Sequence, residues 1–204
     1  TLDTALDVMG DIILSTAAQQ YGGFTVPEVD KILAPYAEKS YRKYREEFLA
    51  YADPSWQGIG EKAEVYAWDK VRRDCDQGWQ GIEYKLNTVG SSRGDYPFVT
   101  VTLGLGCSRF EKMISLSLLN VHREGQGKAG HKKPVLFPKI VFLYDKAIHE
   151  PGGICEDVFE AGVACSAKTM YPDWLSMSGE GYISSMYKKY GNCLLYTSDA
   201  ADEL

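Results

Sequence analysis

Two short apolar runs constrain this chain more than anything else in it: "YPFVTVTLGL" at 96 to 105 and "KPVLFPKIVFLYD" at 133 to 145. Both are rich in β-branched and aromatic residues and lack a sustained polar alternation, the pattern of strands covered on both faces in a parallel sheet. Between them, Ser108-Arg109-Phe110-Glu111 has the spacing of a capping box and opens a helical pattern through Met113, Ile114, Leu118 and Val121. Strand, helix and strand within about fifty residues make a βαβ unit, so the fold class is α/β. Pro138 inside the second run lacks a ladder donor and predicts a bulge or an edge position.

Helical signals surround that unit. Residues 4 to 20 carry Leu6, Met9, Ile13 and Ala17 at spacings of three and four, ended by Gly22-Gly23. Thr25-Val26-Pro27-Glu28 reads as a second capping box, leading into a helix that Pro35 should kink. Residues 53 to 60 read as a loop and 61 to 77 as a helix. That helix reaches about Leu86 if Gly78 and Gly81 do not end it. A helix is expected from about Glu156 to Thr169, closed by "MYPDW" at 170 to 174, and another around Tyr182, Met186, Tyr187 and Tyr190.

Charge and cysteine usage exclude several functions. A net charge of -6 offers no basic field for nucleic acid, and no apolar run approaches the ~20 residues that span a bilayer. Thr1 to Gln20 is interrupted by Asp3, Asp7 and Asp11 and is no signal peptide, so a cytoplasmic protein is expected. Five widely spaced cysteines without a CxxC pair argue for reduced, buried thiols, and three separated histidines give no metal-ligand spacing. Neither a metal nor a cofactor is expected within the chain.

Individual motifs carry little chemistry alone. Gly104-Leu105-Gly106 links a strand to a helix N-terminus, where anions can bind, yet lacks the third glycine of a dinucleotide fingerprint. "EGQGKAG" at 124 to 130 misses the P-loop spacing and reads as a helix end and turn. The aromatic residues fall mostly on helix faces and read as core. Arg93-Gly94-Asp95 runs straight into an apolar strand and makes a poor adhesion motif. Asn87 is the candidate catalytic residue. Its amide offers donor and acceptor at any pH, although capping a turn through its own backbone is the commoner use.

Taken together, "QQYGGFTVPEVDKILAPYAEKSYRKY" (19 to 44), "IEYKLNTVGSSRGDYPFVTVTLGLG" (82 to 106), "EGQGKAGHKKPVLFPKIVFLYD" (124 to 145) and "CSAKTMYPD" (165 to 173) closely resemble the large subunit of class III, anaerobic ribonucleoside-triphosphate reductases, which are glycyl radical enzymes. The resemblance covers nearly all of residues 5 to 191. It implies a partial α/β barrel preceded by N-terminal helices. It also implies a reaction in which a cysteine thiyl radical abstracts the 3′ hydrogen of a ribonucleoside triphosphate, water leaves, and formate or a dithiol supplies the electrons. The radical would start on a glycine, generated by an iron–sulfur activase that uses S-adenosylmethionine. ATP or deoxynucleotide effectors, a homodimer and a structural zinc in the family's C-terminal region are implied as well.

On this resemblance Asn87 would hold the ribose hydroxyls and assist loss of the 2′-hydroxyl. The family's "MGCR"-like finger loop is expected just after residue 191, and no such motif follows. "CLLYTSDAADE" from Cys193 resembles a translated sequencing adapter, so 1 to 192 reads as part of the catalytic barrel domain and 193 to 204 as a non-native tail. An internal piece of a barrel is expected to be inactive alone and poorly soluble. Two alternatives are another glycyl radical enzyme of the formate-lyase type, and a catalytically dead nucleotide-binding or dimerisation module.

Overall fold

A computed structural model describes residues 1–20, 22–88, 96–128 and 130–191. Three long helices come first, interrupted by one short strand: α1 (Leu2–Gln19), β1 (Phe24–Val26), α2 (Val29–Tyr51) and α3 (Ile59–Thr88). The predicted βαβ unit follows as β2 (Val99–Leu103), α4 (Arg109–Glu124) and β3 (Lys139–Tyr144). After it come α5 (Lys146–His149), α6 (Glu156–Thr169), β4 (Asp173–Ser176) and α7 (Tyr182–Tyr190). The strands form one parallel sheet in the order β1-β2-β3-β4. The fold is α/β, as the two apolar runs require.

The two faces of the sheet differ. Val99, Val101 and Leu103 of β2 and Ile140 and Phe142 of β3 are at most 2% exposed. They share one core with Val29 and Leu33 of α2, Met113, Ile114 and Leu118 of α4, and Val158 and Cys165 of α6. On the opposite face, period-two alternation puts Thr25, Thr100 and Lys139 in one cross-strand row. That face is covered toward the carboxyl ends of the strands, where Leu143 and Met177 pack with Leu105, Val141 and Leu175 and with Ile183 and Tyr187 of α7. The Thr25 end of it stays half-open.

The capping box of α4 forms as expected: the Ser108 hydroxyl accepts from Glu111 N–H, and Glu111 Oε2 accepts from Ser108 N–H at 2.7 Å. The one expected at 25 to 28 does not form. Thr25 and Val26 are strand residues paired with Thr100 and Val101, so their backbone is committed to the sheet. The helix begins later, at Val29, with Glu28 in the left-handed region at φ 43° and no side-chain cap. Glu28 N–H instead donates to Thr102 Oγ1 at 2.7 Å, and its carboxylate meets Lys31 and the Tyr187 hydroxyl. Helix α2 runs on through Pro35 to Tyr51.

Pro138 marks neither a bulge nor an edge. It stands one residue before β3, which lies between β2 and β4, so no ladder donor is lost in this interior strand. Helix α1 ends at Gln19, before the two glycines. Helix α3 is continuous over 30 residues despite Gly78 and Gly81. Gly78 lies where α1 crosses: a Cβ there would come 2.3 Å from Leu6 Cδ1. Burial of Val71, Cys75, Trp79, Ile82 and Leu86 offsets the poor helix propensity. Strands β1 and β4 and the short α5 carry no strong sequence signal, and β4 occupies the corner expected only to close α6.

Candidate functional site

The turns that follow the strands of a parallel sheet are where α/β proteins gather ligands. Here they are built around buried polar groups. Asp30, fully buried in the first turn of α2, aims its carboxylate at the β2–α4 turn. Its Oδ2 accepts from Gly104 N–H (3.0 Å), Gly106 N–H (3.1 Å) and the Ser115 hydroxyl (3.2 Å), and its Oδ1 accepts from Lys31 N–H (2.9 Å). The anion-binding potential of Gly104-Leu105-Gly106 is therefore met by the protein's own carboxylate. Burial pushes the Asp30 carboxyl above the usual aspartate range, against the pull of these donors.

His149 locks the same turn from the other side. Its Nδ1 accepts from Asp145 N–H at 2.9 Å, which leaves Nε2–H to donate to Gly104 O at 2.8 Å. Burial lowers its pKa and favours the neutral imidazole these contacts require. Next to it, Asp145 Oδ1 accepts from Ala147 N–H and the Ser178 hydroxyl, and Ser178 accepts from Lys146 N–H, which ties the β3 and β4 turns together. A cross-link between α3 and α4 completes the buried polar set. Glu83 accepts from His122 Nδ1 at 2.9 Å and from Gln126 Nε2 at 3.0 Å, while His122 Nε2 has no hydrogen-bond partner among the described residues and the imidazole meets the Tyr171 ring edge to face.

On the half-open face, Thr25 and Thr100 present hydroxyls beside Lys139, whose ammonium lies 3.5 Å from Asp173. Two hydroxyls and a Lys–Asp ion pair on one sheet face can hydrogen-bond a polar ligand laid across the strands. The sequence reading missed this row, because residues 96 to 105 read as a strand covered on both faces. Asp30 was visible in the sequence, since it shares a helical stripe with Leu33 and Ala37 where an acid must be either functional or satisfied.

Asn87 occupies the last turn of α3, beside the amino end of β3, whereas Asp30 and His149 hold the turn that follows the carboxyl end of β2. Its Nδ2 donates to Glu83 O and Phe137 O, both at 2.7 Å, and its Oδ1 accepts from Leu136 N–H (2.9 Å) and Phe137 N–H (3.2 Å). Both amide hydrogens and both acceptor positions are used, and the segment leading into β3 is held to α3 by one side chain. "EGQGKAG" ends α4 and turns, with Gln126 and Lys133 paired across it. Ser91, Ser92, Arg93-Gly94-Asp95 and the whole of 193 to 204 lie outside the described residues. Among the described residues, no group of three or more His, Cys, Asp and Glu side chains can hold a metal ion, and no helix is long and apolar enough to cross a membrane.

A four-stranded parallel sheet walled by helices on one side and half-open on the other, with polar turns at the carboxyl ends of its strands, defines an α/β protein. Comparison with known proteins narrows the class. Residues 1–199 match the family described as anaerobic ribonucleoside-triphosphate reductase. The chain is 32% identical over 194 residues to the anaerobic ribonucleoside-triphosphate reductases of Salmonella typhimurium and Escherichia coli K12, covering 95% of this chain and 26% of each relative. It is 34% identical over 180 residues to that of Enterobacteria phage T4, covering 86% of this chain and 28% of the relative. The chain belongs to the anaerobic ribonucleoside-triphosphate reductase family and spans about a quarter of the length of these curated relatives.

Proposed function

We propose that this chain forms one wall of the catalytic domain of an anaerobic ribonucleoside-triphosphate reductase, with the half-open sheet face turned toward the nucleotide in a barrel completed by other parts of the enzyme. Family membership supports the reaction proposed for the whole enzyme, in which the ribose 2′-hydroxyl of a ribonucleoside triphosphate is replaced by hydrogen. The observation that carries the placement is the row Thr25, Thr100 and Lys139 on the one sheet face that helices leave half-open. Threonine hydroxyls can bond sugar or phosphate oxygens without titrating, and the Lys139 ammonium suits a polyanion. The radical cysteine and glycine, the activase, the formate or dithiol reductant, the nucleotide effectors and a homodimeric, cytoplasmic enzyme belong to the same proposal and rest on the family alone.

The test is Thr100→Val in a full-length reductase of this sequence, which keeps the side-chain shape and removes the hydroxyl. One lost hydrogen bond to bound substrate, at about 1 to 1.5 kcal/mol, corresponds to a roughly tenfold fall in kcat/KM for the triphosphate, with the melting temperature unchanged. An unaltered kcat/KM would remove this face from the site. For Asn87 two roles are separable: contact with the ribose, and retention of the 136 to 137 backbone. The complete use of its amide supports retention. Asn87→Ala then lowers thermal stability together with turnover, whereas a ribose contact predicts lost turnover with stability unchanged.

A further inference from the structure

Cys107 and Cys155 stand 48 positions apart in the chain, yet their sulfurs lie 3.5 Å from each other. Cys107 precedes the N-cap of α4, and Cys155 is the N-cap residue of α6, so the pair joins the starts of two helices packed on the same face of the sheet. The surrounding backbone is fixed. Gly106 N–H is held by Asp30, Cys155 N–H donates to Ile148 O at 2.9 Å, and the Cys155 thiol donates to Gly106 O at 3.4 Å. From this separation the sulfurs must approach to the ~2.05 Å of a disulfide.

The two thiols are unequal in a way that orders the chemistry. Cys155 is fully buried, and burial followed by the neighbouring Cys107 pushes its thiol up to about 12. Cys107 is half-buried and lines a cavity of about 680 Å³ together with Arg109, Lys112 and Ile154. The other two described thiols lack such a partner. Cys75 is enclosed in the core, and Cys165 lies against Thr169.

We infer that Cys107 and Cys155 form a reversible dithiol–disulfide pair, entered through Cys107 by a low-molecular-weight thiol disulfide. The Cys107 thiol gives its proton to solvent, and its sulfur attacks one sulfur of the reagent RSSR. The S–S bond breaks, RS⁻ leaves and takes up a proton, and Cys107 carries a mixed disulfide. The Cys155 sulfur then loses its proton and attacks the Cys107 sulfur, expelling the second RS⁻, which is protonated in turn. Two electrons pass from the cysteines to the reagent, so two thiols and RSSR become one protein disulfide and two RSH. The product ties the β2–α4 turn, already held by Asp30 and His149, to the start of α6. This pair is independent of the nucleotide-facing reading, since it lies among the helices and not on the half-open sheet face.

The test uses the 204-residue chain equilibrated with mixtures of glutathione and glutathione disulfide, then acid-quenched, alkylated and cleaved after glutamate. Glu156 and Glu160 separate Cys155 from Cys165, so mass spectrometry assigns each cysteine. A Cys107–Cys155 peptide pair lacking two hydrogens, abolished by dithiothreitol and enriched roughly tenfold or more over the same reaction in denaturant, is expected. Cys155→Ala should accumulate glutathione on Cys107, and Cys107→Ala should leave Cys155 unmodified. The inference is overturned if native and denatured chains give the same linkage pattern, if oxidation stops at Cys107 in the unaltered chain, or if Cys155 reacts equally well without Cys107.

Discussion

Replacing Asp30 by alanine should cost the fold about 3 kcal/mol, although the residue is a buried acid whose carboxyl burial pushes upward. The figure follows from what the carboxylate satisfies. Gly104 and Gly106 N–H both end on Oδ2, and the Ser115 hydroxyl adds a third bond. Each buried donor left unpaired costs about 1 to 3 kcal/mol, and relief from burying the carboxylate itself returns part of the total. With a urea slope of about 2 kcal/mol/M, the midpoint should fall by about 1.5 M. Asp30→Asn keeps one oxygen for the glycine donors but sets an amide N–H against Lys31 N–H or the glycines, and should cost less than alanine. The pH dependence has a definite sign. A carboxyl raised above 3.8 in the fold stabilises below 3.8 and loses that contribution as pH rises through its folded value. The deficit of Asp30→Asn relative to the unaltered chain should therefore be largest at acid pH and shrink as pH rises. An alanine variant within about 0.5 kcal/mol of the original, or a deficit that grows with pH, would refute the role assigned to Asp30.

Gly78→Ala should destabilise the chain by about 1 to 3 kcal/mol in urea melts, although alanine favours helix by about 1 kcal/mol, because its methyl would meet Leu6 Cδ1 at 2.3 Å and force α1 from α3. Gly81→Ala, with open space around it, should be neutral or stabilising and serves as the control. His149 carries the opposite pH sign from Asp30. Its folded pKa is depressed below 6.5 by burial, so its contribution is complete above 6.5 and lost as pH falls through the lower folded value, and His149→Gln should flatten the stability profile between about pH 7 and pH 5.

The legible parts of this protein are those whose physics is local. The βαβ unit followed from two unalternated apolar runs and one capping box, since a parallel pair needs a crossover and the Ser108–Glu111 bonds close within four residues. Helix α6 was found at its observed bounds for the same reason. Family membership too was readable from the quoted segments. Local reasoning failed where a distant partner outbid a nearby one. Thr25 had the spacing of a helix cap, but Val99 to Val101 of β2 claimed its segment for the sheet. Gly78 left the length of α3 open from the sequence, and the crossing of Leu6 of α1 explains why a glycine stands there.

By itself the sequence determined the longer helices, the parallel class and the lineage, because periodicity, capping and matched segments need no knowledge of what lies across the core. Only the tertiary structure decided that Asp30 fills the glycine turn, that Asn87 clamps the approach to β3, that Thr25, Thr100 and Lys139 share a row, and that Cys107 faces Cys155. Each joins positions far apart in the chain, and contacts of that kind come from packing whole elements together, which no residue's immediate neighbours specify.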